Sequence, residues 1–511
     1  MSDMWILAGD IGTSSVKTAI FDQHGRIVDS AVQAHATSHE HNGWASQDAE
    51  TWWQGFTANV RILLERHPEA RERIAVIGAS GHMLGCLPVD GKGRPLYSAI
   101  IHADTRASDQ ARFIEKHVGA EPLYALTGNT LNARSGICKI LWLKDHEPEL
   151  YRKTARFLQS KDYLVSRLTG NPDTTDLSDA SHAQWINLAS RTYLTDVFSE
   201  LGLDSGKMPA LHRGTDIIGA LTPESGRELG LPAGIPVIAG AGDGACSSVG
   251  AGSALSGDFY CCLGTSAWIA YASPQPLFDP QRRLFNILSA DGKTCGVYGT
   301  VQSAGHSVSW AMNLFQETDA QAFDRNADTV PAGSEGLIFL PYLDGERAAI
   351  NDTQARGIFF GMSSDHNQAH FKRAVLEGVA FSLRSIIQMY RETMDLKIMR
   401  LIGGGAKSDL WSAIIADACG VTIDRLTTPA GDATALGIAL AAGVGAGLYP
   451  DMQTALQTIS VRDRRMADPE RQKTYDRLFP IFESLYGANR SLFGRLAQFR
   501  QEGGAAGHAK G

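Results

Sequence analysis

The chain has no Cys-x-x-Cys pair, no dense basic stripe and no uninterrupted apolar run of membrane length. Its seven cysteines are an odd number, and Cys261 and Cys262 are adjacent, so neither a disulfide framework nor a zinc site is implied. Buried, reduced thiols are expected instead. With 47 Lys and Arg against 55 Asp and Glu, the net charge is −8, the wrong sign for nucleic acid or an anionic membrane. Any phosphate must then be held by local groups. Asp10 interrupts the first apolar run, Trp5-Ile-Leu-Ala-Gly9, and no basic n-region precedes it. No signal peptide is visible, and a cytoplasmic setting is expected. The longest weakly polar stretch, Ala435 to Leu448, is Gly-rich and too short for a bilayer. Common nucleotide fingerprints are missing too. Gly292-Lys-Thr294 has Ile287 where a P-loop needs glycine, and Gly240-Ala-Gly242 has Ala245 where a dinucleotide fold needs one. The protein-kinase set of His-Arg-Asp and Asp-Phe-Gly is absent as well.

What is present is ample core material. At 511 residues, 43% apolar and 20% charged, the chain exceeds what one hydrophobic core usually spans, so two domains are expected. Trp5 to Ala8 and Val16 to Phe21 read as strands around the turn Asp10-Ile-Gly-Thr-Ser14. A helix follows, capped by Ser46 or Asp48, with an apolar stripe at Trp53, Phe56, Val60, Leu63 and Leu64. Ile74 to Ile77 and Cys86 to Val89 read as further strands, which makes this an α/β domain. The same vocabulary returns at Phe259 to Leu263 and Trp268 to Tyr271, around Gly264-Thr-Ser266. Two Gly-Thr-Ser turns half a chain apart, each between β-prone runs, suggest a duplicated fold. We place the boundary near residues 245 to 258, giving domains 1–250 and 251–495 and a disordered tail over 496–511.

Three motifs can carry chemistry. In Asp10-x-Gly12-Thr13-Ser14-x-x-Lys17, glycine allows close backbone approach and the turn amides and hydroxyls suit phosphate oxygens. Asp10, at the strand end, can hold magnesium through waters; an ordinary polar hairpin is the alternative. In Ala239-Gly-Ala-Gly-Asp243-Gly-Ala, a carboxylate among small residues has room to take a proton from a hydroxyl nucleophile. It also reads as a helix cap, and the two roles are compatible. In Leu401-Ile-Gly403-Gly404-Gly405-Ala406-Lys-Ser408, a strand ends in glycines before a helix starting near Ser408. Such a bare junction admits a flat ring or a phosphate, and it equally serves as a tight turn.

In this order, the motifs resemble the FGGY carbohydrate kinases of the hexokinase–actin superfamily. Gly357-Ile-Phe-Phe-Gly-Met362 followed by His370-Phe-x-x-Ala-Val-Leu-Glu377 fits the family's C-terminal signature throughout. The N-terminal signature is met by Lys139-Ile-Leu-Trp-Leu-Lys-Asp-His146 but not by Arg134 and Gly136. The resemblance runs from about residue 5 to about residue 490. It implies two actin-like, ribonuclease-H-like α/β domains with an interdomain cleft, and transfer of a phosphoryl group from ATP to a small sugar. By the same resemblance Asp243 is the general base and Asp10 lies beside Mg2+. Gly12, Thr13, Ser14 and Lys17 with Gly264, Thr265 and Ser266 face the triphosphate, and Gly403 to Ser408 border adenosine. His82, Met83 and Asp104 are placed on the sugar. No nucleic-acid or membrane partner is implied, and the oligomeric state stays open, a homodimer included.

Within the family, Phe339-Leu-Pro-Tyr-Leu-Asp-Gly-Glu-Arg347, Lys161-Asp-Tyr163 and Leu177-Ser-Asp-Ala180 are similar to xylulokinases, which implies D-xylulose. The sugar side departs from that pattern. Gly81-His-Met-Leu-Gly85 stands where Gly-Gln-Met-His-Gly is usual, so Leu84 replaces the sugar-touching histidine and His82 the glutamine. His102-Ala-Asp104-Thr-Arg106 stands for Trp-Asn-Asp-x-Arg. Exchanging hydrogen-bonding groups changes which hydroxyl is recognised, so another ketose, a polyol or an aldonate is the alternative. A non-catalytic sugar-binding protein has no need of both Asp10 and Asp243, and a glycosidase using that pair would leave the glycine hairpins without a purpose.

Overall fold

A computed structural model describes residues 4–391 and 394–507. Its first strand, β1 (Trp5–Ile11), is buried except at Asp10, as the apolar run Trp5 to Gly9 requires. The turn at Gly12, whose amide donates to the Ser15 carbonyl at 2.9 Å, folds the chain back into β2 (Ser15–Asp22) and then β3 (Ile27–Ala34). On the other side β1 runs parallel to β4 (Ile74–Gly81), beyond which lies the sheet's edge. That edge consists of β5 (Ile217–Ala220) and β6 (Pro236–Ile238), giving the order β5-β6-β4-β1-β2-β3. The short β7 (Ala241–Gly242) also pairs with β4. The helix Ala49–Arg66 covers this sheet; Asp48, one of the two expected caps, accepts from the Glu50 amide.

A second sheet repeats the plan. Its central strand β8 (Phe259–Leu263) is antiparallel to β9 (Ala267–Ser273), which is followed outward by β10 (Cys295–Val301). On its other side β8 is parallel to β11 (Ile398–Ile402), then β12 (Thr422–Leu426) in parallel and β13 (Val461–Arg465) antiparallel. Each sheet thus has a central strand with a hairpin on one side, two parallel neighbours on the other, and an antiparallel edge. The duplication expected from the two Gly-Thr-Ser turns is present in the topology.

Domain organisation departs from two continuous halves. The first unit comprises residues 1–256, 272–297 and 431–460, and the second comprises 257–271, 298–430 and 461–511. The leading segment of the first unit ends at Ser256, and two later segments return to that unit. The reason lies in small residues. The helix Ala433–Gly445 is buried through most of its length and lies at backbone contact against the helix Asp243–Gly250. A Cβ at Gly437 would sit 1.8 Å from the Cys246 carbonyl oxygen, and one at Gly250 the same distance from that of Ala433. The expected disordered tail is corrected in part. Residues 496–507 continue the helix Pro469–Gly507, with Leu496 and Phe499 exposed on it, while 508–511 lie outside the described residues. All seven cysteines are free, and six of them are buried. Among the described residues no helix is long and apolar enough to cross a membrane.

Candidate active site

The first unit brings Asp10 and Asp243 together. Asp10 on β1 and Ala241 on β7 both pair with Ser80 of the intervening β4, so the two carboxylates flank one strand end. Asp243 is the first residue of its helix rather than the cap, which is Gly242, and its Oδ1 accepts from the Gly244 amide at 2.8 Å. Burial pushes the Asp243 carboxyl up to about 6. Asp10 is pushed up to about 7, by burial first and then by the charge of Asp243, with Lys17 opposing. Its Oδ1 is buried with no hydrogen-bond partner. An unpartnered, buried carboxylate oxygen beside a second carboxylate fits a divalent cation. Among the described residues no cluster of three or more metal-ligating side chains exists, so a cation here would need water or phosphate oxygens to complete its shell.

The hairpin at Gly12 to Ser14 is held by hydrogen bonds from two side chains. His35 Nε2 lies 3.1 Å from the Gly12 carbonyl oxygen, and Gln47 Nε2 donates to the Thr13 carbonyl at 2.7 Å. Gln47 also accepts from Trp52 Nε1 at 3.0 Å. Lys17, read as part of this hairpin, is otherwise engaged: its ammonium donates to the Gly431 carbonyl at 2.8 Å and pairs with Asp432. The return of residues 431–460 to the first unit brings that aspartate in, a long-range contact that local sequence cannot display. In the second unit, Gly264, Thr265 and Ser266 form the matching turn. The amides of Gly305 and His306, which open the helix Gly305–Leu314, donate to the Gly264 and Thr265 carbonyls at 2.9 Å each. Gly403 has φ 104°, and a Cβ there would lie 2.4 Å from the Leu263 carbonyl oxygen, so only glycine fits the corner. Gly404 is open, Gly405 rests on Leu263 and Trp411, Ala406 is buried, and Ser408 caps the next helix by accepting from the Trp411 amide.

Of the residues expected to contact a sugar, His82 is buried and neither ring nitrogen has a partner. Its ring meets the edge of Trp52 at 5.4 Å and lies 5.6 Å from His102. Burial, reinforced by His102, holds His82 down at about 3; burial and Lys139 hold His102 at about 4. Met83 is buried against Gly242, where a Cβ would come within 2.6 Å of its side chain. Leu84 sits at φ 61°, a left-handed conformation unusual for leucine, and its carbonyl accepts from the buried Lys139 ammonium at 2.5 Å. Lys139 also donates to the Ile101 carbonyl at 2.8 Å, tying the His82 and His102 loops together. The expectation for Asp104 is corrected. It is fully buried, and its oxygens accept from the Ala45 amide at 2.6 Å and from the Arg106 amide and Nε at 2.8 and 2.9 Å. Arg106 lies over the Trp44 ring at 3.8 Å, and a cation so buried needs this carboxylate.

One network escaped the sequence reading, although its residues stand in stretches that carry the family likeness. Buried Lys161 pairs with Asp162, Asp176 and Asp179 at 2.5, 3.0 and 3.2 Å. Asp176 accepts from Ser178 Oγ at 2.5 Å, and that hydroxyl accepts from the Gly242 amide at 2.9 Å. The Ala241–Gly242 peptide, one residue short of Asp243, is thereby held from behind. Spacing alone could not reveal this, because Lys161 and Ser178 lie 64 residues or more from Gly242 in the chain.

Paired α/β sheets with duplicated topology are the fold of the two-domain carbohydrate kinases. A crystal structure of a xylulose kinase ("xyloylose kinase") from Brucella ovis superposes with TM-score 0.89 at 29% identity, covering 96% of this chain and all of that one. That of a gluconate kinase from Lactobacillus acidophilus superposes with TM-score 0.90 at 27% identity, over 97% and 100%. Xylulose kinase of Escherichia coli (strain K12) is 31% identical over 479 residues, 93% of this chain and 97% of that protein. The family models "FGGY family of carbohydrate kinases, N-terminal domain" and "C-terminal domain" match residues 5–250 and 259–446. The chain belongs to the FGGY family of carbohydrate kinases.

Proposed function

We propose that this carbohydrate kinase transfers the γ-phosphoryl group of ATP to a hydroxyl of a small open-chain ketose, D-xylulose. The observation that carries the reading is the buried pair of carboxylates flanking one strand end, Asp243 with a pKa lifted towards the working range and Asp10 with a bare oxygen. Asp243 takes the proton of the attacking hydroxyl; the bond from the γ-phosphorus to the bridging oxygen breaks as the new one to the sugar oxygen forms, and ADP leaves. Asp10 would hold Mg2+, which neutralises charge on the phosphates when bound. The turns at Gly12 to Ser14 and Gly264 to Ser266 offer amides and hydroxyls to phosphate oxygens, and the corner Gly403 to Ser408 takes the adenosine. Lys17 acts at one remove, locking β2 to Asp432.

His82 and the apolar flank of Met83 read the sugar, while Asp104 and Lys139 hold the surrounding loops in place. Support for a neutral ketose over an aldonate comes from the imidazoles, which burial keeps uncharged and which therefore offer a carboxylate no counter-ion. Support for D-xylulose in particular is the similarity to xylulose kinases. ADP release measured with D-xylulose, D-gluconate and glycerol at equal concentration tests it. The expected order puts D-xylulose first by kcat/KM; a preference for D-gluconate of tenfold or more would overturn the ketose reading.

A further inference from the structure

The helix Leu177–His182 brings more than Ser178 to the neighbourhood of Asp243. Ser178 and His182 are one turn apart, so their side chains leave the same face with Cβ atoms about 5–6 Å apart. Ser178 Oγ touches the Gly242 amide, so that face is turned towards the strand end from which Asp243 projects. The helix is anchored there from the other end as well, because Ser181 Oγ accepts from the Leu288 amide at 3.0 Å. His182 is half-buried, its ring lies 5.4 Å from Phe285, and its Nδ1 is buried without a partner. It stands close enough to His102 for a charge on that ring to be felt.

Three separate segments contribute imidazoles here: His82 and His102, with rings 5.6 Å apart, and His182, within electrostatic reach of His102. Four of their nitrogens are buried with nothing to bond to, both of His82 and the Nδ1 atoms of the other two. A buried polar atom left unpaired is destabilising, and a native fold rarely keeps several together without a ligand to satisfy them. Adjacent uncharged hydroxyls, each able both to donate and to accept, suit neutral imidazoles, which offer one donor and one acceptor each. We infer that His182 is a further sugar-reading residue, which with His102 and His82 selects an uncharged polyhydroxy chain. This rests on the sugar-side assignment above. All three rings are held neutral by burial, His182 at about 4, so the set supplies hydrogen bonds without a positive charge.

The test uses His182→Phe, which keeps a ring against Phe285 but removes the nitrogens, and His182→Asn, which keeps a neutral hydrogen-bonding group. His182→Phe should raise KM for D-xylulose about ten- to hundredfold and leave KM for ATP within about twofold, the loss expected for one unsatisfied buried hydroxyl. His182→Asn should recover much of that loss, which a purely structural role would not predict. If His182→Phe keeps the sugar KM while His82→Ala raises it, His182 is not a reading residue and the sugar-side assignment stands. If neither variant moves the D-xylulose KM although Asp243→Asn abolishes turnover, the assignment itself is wrong and this inference goes with it.

Discussion

Replacing Asp243 with asparagine should stabilise the ligand-free protein while it removes turnover. Burial lifts the Asp243 carboxyl from 3.8 to about 6. Two pKa units correspond to about 3 kcal/mol, an upper bound because the residue keeps some contact with solvent. The sign follows from proton binding. Between pH 4 and 6 the folded state holds this proton and the unfolded chain does not, so stability falls as pH rises through that window and stays lower above it. Asparagine carries no such penalty. It also removes the charge that helps push Asp10 up to about 7, an effect of the same sign. Thermal unfolding without nucleotide, sugar or metal should place the midpoint of Asp243→Asn a few degrees above wild type at pH 7.5, with the gap closing towards pH 4.5. Turnover should fall about 10²–10⁴-fold, the usual worth of a positioned base. An asparagine variant no more stable at pH 7.5, or one whose advantage persists unchanged at pH 4.5, would refute the burial argument. One that keeps half of wild-type turnover would remove Asp243 from catalysis.

Other perturbations separate the parts of the site. Ser178→Ala frees the Gly242 amide and should lower kcat roughly fivefold, one hydrogen bond's worth, with both KM values unchanged; a shift confined to KM would contradict a positioning role. Leu84→His should raise kcat/KM for D-xylulose severalfold without loss of stability, because histidine tolerates the left-handed backbone at φ 61° better than leucine; steady-state assay and a melting curve decide it. Gly437→Ala puts a methyl 1.8 Å from a backbone oxygen that has no room to move, so soluble folded protein should be lost, as circular dichroism would report.

Local chemistry was the most legible part of the sequence. The runs Trp5 to Ala8 and Phe259 to Leu263 are strands because each is an apolar stretch stopped by a glycine turn, and both facts sit within ten residues. Asp10 and Asp243 stood out because a carboxylate among glycines has few local uses. What could not be read were partnerships made at long range. Lys17 looks like a phosphate ligand until Asp432, 415 residues away, is brought beside it. Asp104 looks like a pocket acid until Arg106 is found stacked on Trp44 and in need of neutralising. Trp52, buried against His82, lies outside the apolar stripe that begins at Trp53, because helical spacing alone does not show which neighbour faces the site. The signature that identified the family is mostly architectural: Glu377 accepts from the Gly333 amide, Ser334, Arg373 and Tyr475 in a buried network.

The return of residues 431–460 to the first unit also sets a timetable for synthesis. A ribosome that has finished Ser256 has delivered every strand of the first sheet, yet the helix Ala433–Gly445 that closes over β1 and β4 is still untranslated. At 5–20 residues per second the wait for it is about 10–40 s. Through that interval the nascent chain carries an uncovered sheet face and the unmatched glycine groove of the helix Asp243–Gly250. An early holding chaperone would find its substrate there, and cutting the gene after Ser256 would leave that face permanently bare.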